Sequence, residues 1–474
     1  IQPELAMANI PVDRFTEESA VFFLKEWEAL ITKHRHHPSI MSWCGGNEQE
    51  WGYFFEDRIV KMARQLDPSR LVVPTDGRWM SEEIREDKNY DYVSVCYVEY
   101  TDVLPLDEYA DLYSRDNCGK PQVVHEMGNF TTVPSIEDLP KYKGAVNFPH
   151  KLQNWAKAVE EAGRMPVYHK AAANALAMQK LSMKLILEKA RLSDAIRGYH
   201  LWTLTDYYDT TQGLLNQFYE DKAFTAKEFA ALNGSSLLLW DTQRWCFVSG
   251  EQVLIRIKLS RFETADWEDA RLTLTLHGED STEKLLTEAV FPVTVAGHGT
   301  IALSEWELMI PKIDQAQKCK LSARLTSAQG ELSNDWEIWI YPRTETIIDR
   351  QGKGRELFIH YLSRHLVENN RRMVRHFTIP MPLNENLLVT GYIMDGMLEA
   401  VYQGARMLLL ALPDTFTATK TRNAFKLCWW MQEEFFYINR SNNTQISNIL
   451  EEHPALAQIP HESHWNLNWF HLVE

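Results

Sequence analysis

The sequence contains no apolar run of about 18 residues, the length a helix needs to cross a bilayer, so no transmembrane helix is expected. It has no surplus of positive charge: 49 Lys and Arg face 65 Asp and Glu, a formal charge of −16. Phosphate binding needs clustered cations, so nucleic acid is excluded as the main partner. The six cysteines (Cys44, Cys96, Cys118, Cys246, Cys319 and Cys428) lie far apart and never as CxxC. That spacing gives neither a small disulfide scaffold nor a zinc signature. There is no internal repeat or low-complexity tract. No Gly-rich phosphate loop precedes the helix expected near residues 395–402, so no nucleotide is expected there. The first residue is Ile1, and no charged segment followed by an apolar one reads as a secretory signal.

What the chain has in quantity is tryptophan: 16 Trp beside 18 Tyr and 20 Phe. Aromatic residues fill large cores, and they also line sugar sites, where a ring face stacks on the C–H face of a pyranose. The count alone does not separate these uses. A length of 474 residues allows two to four domains.

Residues 1–235 alternate between helix and strand. Glu17–Lys33 carries Phe22, Phe23, Trp27, Leu30 and Ile31 at helical spacing. Short apolar strands are expected at Ile40–Cys44, Leu71–Pro74, Tyr92–Tyr97, Gln122–His125 and Gly198–Leu204, with helices over Glu56–Gln65 and Ala171–Leu192. Short strands between long helices imply βα units and a parallel sheet, in a barrel or a doubly wound fold. Residues 236–345 change style. Gln252–Ser260, Ala270–His277, Leu321–Leu325 and Trp336–Tyr341 alternate strictly, the pattern of an antiparallel β-sandwich. Residues 346–474 return to mixed α/β, with a helix expected over Glu356–Val367 and one βαβ unit over residues 387–410.

Two glutamates directly follow short apolar strands: Glu48 in WCGGNE and Glu126 in PQVVHEMGN. In a parallel α/β barrel the C-terminal ends of the strands face the active-site mouth. Two carboxylates on that rim can flank a glycosidic bond, one protonating the leaving oxygen while the other attacks the anomeric carbon or activates water. A lone Glu after a strand is ordinarily a salt-bridge or capping residue, so the weight rests on the constellation. His34, His36 and His37 are too close in sequence to face one ion together from a regular element. Trp43 is expected in the core beneath the mouth, and His125 beside Glu126, packing on it or orienting it. Residues 131–170, with Tyr142, Phe148, Trp155 and Tyr168, read either as a wall on the leaving-group side or as a cover over the rim.

HHPSIMSWCGGNE resembles the acid/base segment of glycoside hydrolase family 2, with His36 standing where the family usually has Asn. KPQVVHEMGN resembles the family's nucleophile segment. LDPSRLVVPTDG resembles the helix-to-strand segment between them, and GYHLWTLTDYYDTTQGLLNQF the eighth barrel strand. The order of all four is that of the family. The resemblance implies a retaining enzyme that cleaves terminal β-glycosides, with Glu48 as general acid/base and Glu126 as nucleophile. It further implies Asn47 on the sugar 2-hydroxyl, Tyr97 on the nucleophile, and Trp202 and Asp206 at the sugar, although a rim hydrogen bond is the plainer role for Asp206 and for Asp209.

No metal or other cofactor is implied; the partner is a glycoside or oligosaccharide. The resemblance also implies an immunoglobulin-like sandwich after the barrel. The terminal aromatic residues Trp465, Trp469 and Phe470 are expected to dock on that sandwich or to form a sugar-binding patch. The alternative reading is a non-catalytic carbohydrate-binding relative with a degenerate barrel.

The expected architecture is therefore the C-terminal part of a TIM barrel, its strands four to eight, over 1–235. An immunoglobulin-like sandwich over 236–345 and an α/β accessory domain over 346–474 follow. On this reading the chain is the C-terminal portion of a longer enzyme. The oligomeric state and the sugar released do not follow, and the resemblance favours a periplasmic or secreted location. An incomplete barrel has open edges, so the purified 474-residue polypeptide should not turn over nitrophenyl glycosides. Substantial turnover in that assay would overturn the partial-barrel reading.

Overall fold

The protein is described here as a computed structural model covering residues 1–49, 56–77, 88–96, 120–144, 149–207, 211–343, 357–360, 387–390, 397–409 and 452–469, apart from 9, 11–13, 129, 195, 243, 264–265, 280–283, 405 and 465. Helix α1 (Glu17–His34) starts at a capping box: Thr16 Oγ1 accepts from the Ser19 N–H, and Ser19 Oγ accepts from the Thr16 N–H. Glu17 and Glu18 in its first turn and Lys33 and His34 in its last suit the helix dipole. Its inner face buries Ala20, Trp27 and Ile31.

Strand β1 (Ser42–Cys44) pairs in parallel with β2 (Leu71–Val73), and helix α2 (Glu56–Leu66) connects them. Strands β3 (Val93–Cys96), β4 (Gln122–Met127) and β5 (Ile196–Leu201) form a second parallel set. The Asp91 N–H donates to Val72 O at 3.2 Å, and the Val72 N–H to Asp91 Oδ2 at 2.8 Å, which joins β2 to the entrance of β3. The result is an open, barrel-like wall in the expected order.

The expected strand count needs a correction. Residues 3–8 run parallel to β1 on its other side, through Leu5 N to Cys44 O (3.0 Å), Cys44 N to Pro3 O (3.1 Å) and Asn47 N to Met7 O (2.8 Å). Six parallel segments are therefore present among the described residues, not five. PELAMA shows no β-branched run, so propensity did not mark it; pairing with β1 holds it extended.

Helix α3 (His150–Glu161) and a 3₁₀ turn (Ile136–Lys141) give structure to the segment read as an aperiodic connection. Helix α4 (Met165–Leu192) is longer than expected and serves two layers. Met183, Leu187 and Ala190 pack with Val124 and Met127 of β4, whereas Met178, Leu181 and Leu185 pack against the second layer. A short helix, α5 (Ala226–Leu232), precedes that layer.

The second layer is a β-sandwich. Strands β6 (Ser236–Trp240), β8 (Gln252–Arg261) and β11 (Gly299–Met309) make one sheet. Strands β7 (Cys246–Val248), β9 (Trp267–Gly278), β10 (Leu285–Val295), β12 (Gln317–Ser327) and β13 (Gly330–Tyr341) make the other, in the order β10-β9-β12-β13-β7. Alternate residues Ala270, Leu272, Leu274 and Leu276 are buried against Ile255, Ile257, Trp336 and Trp339, as the two-residue period requires.

In the last region β14 (Leu357–His360), β15 (Leu387–Thr390) and β16 (Arg406–Leu409) are parallel, with helix α6 (Met397–Tyr402) between β15 and β16. The helix expected over Glu356–Val367 is thus a strand over Leu357–His360, and its remainder lies outside the described residues. Residues 452–469 dock on the sandwich: Leu467 joins its core, Tyr341 OH donates to Asn468 Oδ1 (2.7 Å), and Lys318 meets Glu462 (2.9 Å). No helix among the described residues is long and apolar enough to cross a membrane.

Glu188 joins the barrel wall to the sandwich. It is 6% exposed and accepts from Trp336 Nε1 (2.9 Å) and Asn334 Nδ2 (2.8 Å). Glu188→Ala leaves both donors without this acceptor, at about 1–3 kcal/mol for a buried unsatisfied group. Urea denaturation should show that loss, with Glu188→Gln milder; an unchanged midpoint in the Ala variant would refute the tether.

Candidate active site

The barrel wall brings Asn47, Glu48, Asp76, His125, Glu126 and Trp202 to its C-terminal rim. Pairing continues beyond β1 and β2: the Asp76 N–H donates to Gly46 O and the Glu48 N–H to Asp76 O, each at 2.9 Å. Glu48 has φ 48° and Glu126 φ 53°, the left-handed region that a non-glycine residue enters at a cost of order 1–3 kcal/mol. The expectation that both glutamates follow their strands holds for Glu48. Glu126 instead lies inside β4, where the register shifts between Val124 and Met127.

Gly128 completes the nucleophile-like segment. It has φ +90°, and a Cβ there would lie 2.8 Å from Met183 Cε on α4. Gly77 is enclosed in the same way: its Cβ would lie 2.9 Å from Glu48 Cγ and 2.7 Å from His125 Cδ2, so these two side chains flank one glycine.

His125 ties the expected residues together. Its Nε2 lies 2.8 Å from Asn47 Oδ1 and 3.3 Å from Glu126 Oε1. Burial opposes its charge, but the hydrogen bond to Glu126 and the charges of Asp76, Glu126 and Glu4 prevail and raise its pKa above the ordinary histidine value. The nearby His200 is pushed the other way, chiefly by burial. Asp76 and His200 were not singled out from sequence. Asp76 had one available signal, a polar residue just beyond an apolar strand; His200 looked like an ordinary alternating residue of its strand.

Trp202 is half-buried. Its backbone N–H donates to Met127 O (2.9 Å) and its Nε1 to Gln212 Oε1 (2.8 Å), and the bond to Thr203 is cis. Trp43 is fully buried and donates from Nε1 to Asp67 Oδ2 (3.0 Å), as a core residue beneath the mouth. His34 and His37 stack at 5.7 Å, and His36 lies tilted at 4.1 Å from His37, at the exposed end of α1. Tyr97, Phe148, Asp209, Trp465 and Phe470 lie outside the described residues.

Asp206 takes the plainer of its two expected roles. Its Oδ1 accepts from Lys222 Nζ (2.8 Å) and the Gly213 N–H (2.7 Å), pinning the loop after β5. A cavity of about 350 Å³ lies beside this pair, lined also by Val133, Tyr142 and Tyr168 and by neither rim glutamate. Burial pushes the Asp206 carboxyl up to about 6 against the pull of Lys222, and burial also lowers Lys222.

A class of protein is defined at this point: a parallel βα wall of the TIM-barrel kind with two carboxylates on the rim that carries chemistry in such folds. Residues 7–161 match the family model for the TIM barrel domain of glycosyl hydrolases family 2. Residues 251–342 match a domain of unknown function (DUF8488). No curated protein matches the sequence.

Among solved structures, the exo-chitosanase CsxA of Amycolatopsis orientalis is 12% identical, with a TM-score of 0.44 over 68% of this chain and 39% of its own. Bacteroides uniformis beta-glucuronidase 3 is 12% identical, with a TM-score of 0.33 over 72% and 42%. A putative beta-galactosidase from Bacteroides fragilis is 14% identical, with a TM-score of 0.33 over 71% and 46%. The chain thus spans 39% to 46% of the length of these structures.

The buried Asp206–Lys222 pair yields a stability prediction. A carboxyl whose folded pKa is raised binds its proton more tightly when folded, so its contribution to stability falls as pH rises from about 4 to about 6. Asp206→Asn should flatten that fall, and at neutral pH should cost about 3 kcal/mol or more by leaving Lys222 without its counter-charge. Urea unfolding of both proteins from pH 4 to 7 measures both effects; parallel curves would refute the assignment.

Proposed function

We propose that this chain supplies the acid/base and the nucleophile of a retaining β-glycosidase. The observation that carries the reading is the rim itself. Glu48 lies just beyond β1 and Glu126 within β4 of the same parallel wall, both in left-handed backbone, and His125 beside Glu48 bonds both Asn47 and Glu126. The family 2 match over residues 7–161 supports it independently of that geometry.

Glu126 attacks the anomeric carbon while Glu48 protonates the departing oxygen, giving a glycosyl-enzyme. Glu48 then takes a proton from water, which attacks the same carbon and restores Glu126. In this reading Asn47, held by His125, donates to the sugar 2-hydroxyl, a contact that strengthens in the transition state. Trp202 offers a ring face beside the nucleophile, and the terminal β-linked sugar lies between them.

The test is covalent trapping. Assembled in a barrel that also holds strands one to three, the chain incubated with 2-deoxy-2-fluoro β-glycosides bearing good leaving groups should be labelled on the peptide containing Glu126, as read by mass spectrometry. Glu126→Gln should abolish the label. Glu48→Gln should still form it with an activated leaving group, because that step then needs little protonation, but should release it slowly. A label on any other residue would overturn the assignment of roles.

A further inference from the structure

Three Lewis bases converge beneath the rim. Nε2 of His125 faces Asn47 Oδ1 and a carboxylate oxygen of Glu126. A carboxylate only accepts, so in the neutral ring Nε2 carries the proton and Nδ1 is a lone pair. That lone pair faces another acceptor, Asp76 Oδ2, at 3.8 Å. The two side chains are 9% and 1% exposed. Nδ1 of His125 and Oδ1 of Asp76 have no hydrogen-bond partner among the described residues. His200 adds its Nδ1 at 3.9 Å from the same Asp76 oxygen, and the ligand atoms of all three residues lie within 4.8 Å of one another. Glu4 and Cys44 gather around Asp76 at similar spacing, so further ligands stand within reach.

Buried acceptors facing one another repel unless positive charge lies between them. Asp76 Oδ2 already accepts from Gln2 Nε2, which leaves Asp76 Oδ1 and His125 Nδ1 unmet; a proton on His125 meets one of these contacts, whereas an ion draws all three residues together. Bonds of about 2.0–2.2 Å place ligand atoms roughly 3.0–4.2 Å apart around one ion, so the two separations from Asp76 Oδ2, 3.8 and 3.9 Å, need only a small closing of the side chains onto it. The hold of Glu126 on the far nitrogen of His125 is the carboxylate–histidine–metal arrangement that fixes a ligand ring.

We propose that Asp76, His125 and His200 form a binding site for a divalent transition-metal ion of the zinc type. Two imidazoles and one carboxylate suit zinc or cobalt better than calcium or magnesium, which prefer all-oxygen sets. The site stands whether or not the chain is a glycosidase. If it is, an ion one imidazole away from Glu126 draws electron density from that carboxylate and restrains its attack.

Cobalt(II) titration of the full chain, followed by d–d absorption and then displacement with zinc, tests the site without any turnover assay. One cobalt per chain is expected. Asp76→Asn and His200→Gln should each weaken it at least tenfold. His200 is half-exposed, so its variant keeps the test readable if Asp76→Asn misfolds. The triple variant His34→Gln, His36→Gln, His37→Gln, at the exposed stack, should bind as the native chain does. The proposal is overturned if the triple variant removes the signal or if His200→Gln binds at full strength. It is also overturned if cobalt does not bind to the folded chain, and an imidazolium at His125 found by NMR at neutral pH would then give the proton the place assigned to the ion.

Discussion

Parallel pairing carried past the ends of β1 and β2 is the constraint on which the site depends. The hydrogen bonds from Asp76 to Gly46 and from Glu48 to Asp76 extend the ladder into the loops. That extension fixes where Asn47 and Glu48 stand, and with them Asp76. Parallel strands place all their C-terminal ends on one edge, so residues separated by nearly 80 positions in sequence, such as Asn47 and His125, come within hydrogen-bond distance. The left-handed backbone at Glu48 and Glu126 is the cost of turning side chains off a strand and into the mouth. The shifted register within β4 and the close approach of Met183 to Gly128 hold that turn in place.

Electrostatics at the rim follow from that placement. His125 is surrounded by Asp76, Glu126 and Glu4, so a buried imidazole that would ordinarily lose its proton is instead biased to keep it or to exchange it for another cation. His200, with a weaker claim on the same carboxylate, is shifted in the opposite direction by burial. Two histidines beside one aspartate thus differ in charge preference because their surroundings differ. Asp206 shows the same principle in a structural setting: its carboxyl is tied through Oδ1 to Lys222 and a loop amide.

Helix α4 explains how the wall and the sandwich form one body. It is apolar on two sides, packing Met183 and Leu187 on β4 and Met178 on the sandwich, with Glu188 closing the seam on Trp336 and Asn334. A helix buried from both sides cannot show a single amphipathic stripe. That is why its composition identified it as a helix while its pattern gave no hint of two partners. Residues 452–469 add a second brace, from Asn174 on this helix through Ser463 and on to Lys318 and Tyr341 of the sandwich.

Local rules made much of this legible. The two-residue alternation of Ala270–His277 and Trp336–Tyr341 defined sandwich strands, and short apolar runs marked β1 to β5, because burial on one or both faces leaves a direct trace in residue order. The segments around Glu48 and Glu126 stood out because each sets a glutamate at or just past a short apolar strand, and the structure brings β1 and β4 into parallel pairing with their neighbours. Residues 3–8 and Leu357–His360 were not legible: the first is extended only through its pairing with β1, and the second reads equally as helix or strand when four residues are taken alone. Sequence by itself determined the strands β1 to β5, the alternating strands of the sandwich and the helices α1, α2 and α4, because burial leaves a direct trace in residue order. Only the tertiary structure decided that Asp76, His125 and His200 share one point, because their convergence comes from hydrogen bonds between distant strands and from no feature of any one segment.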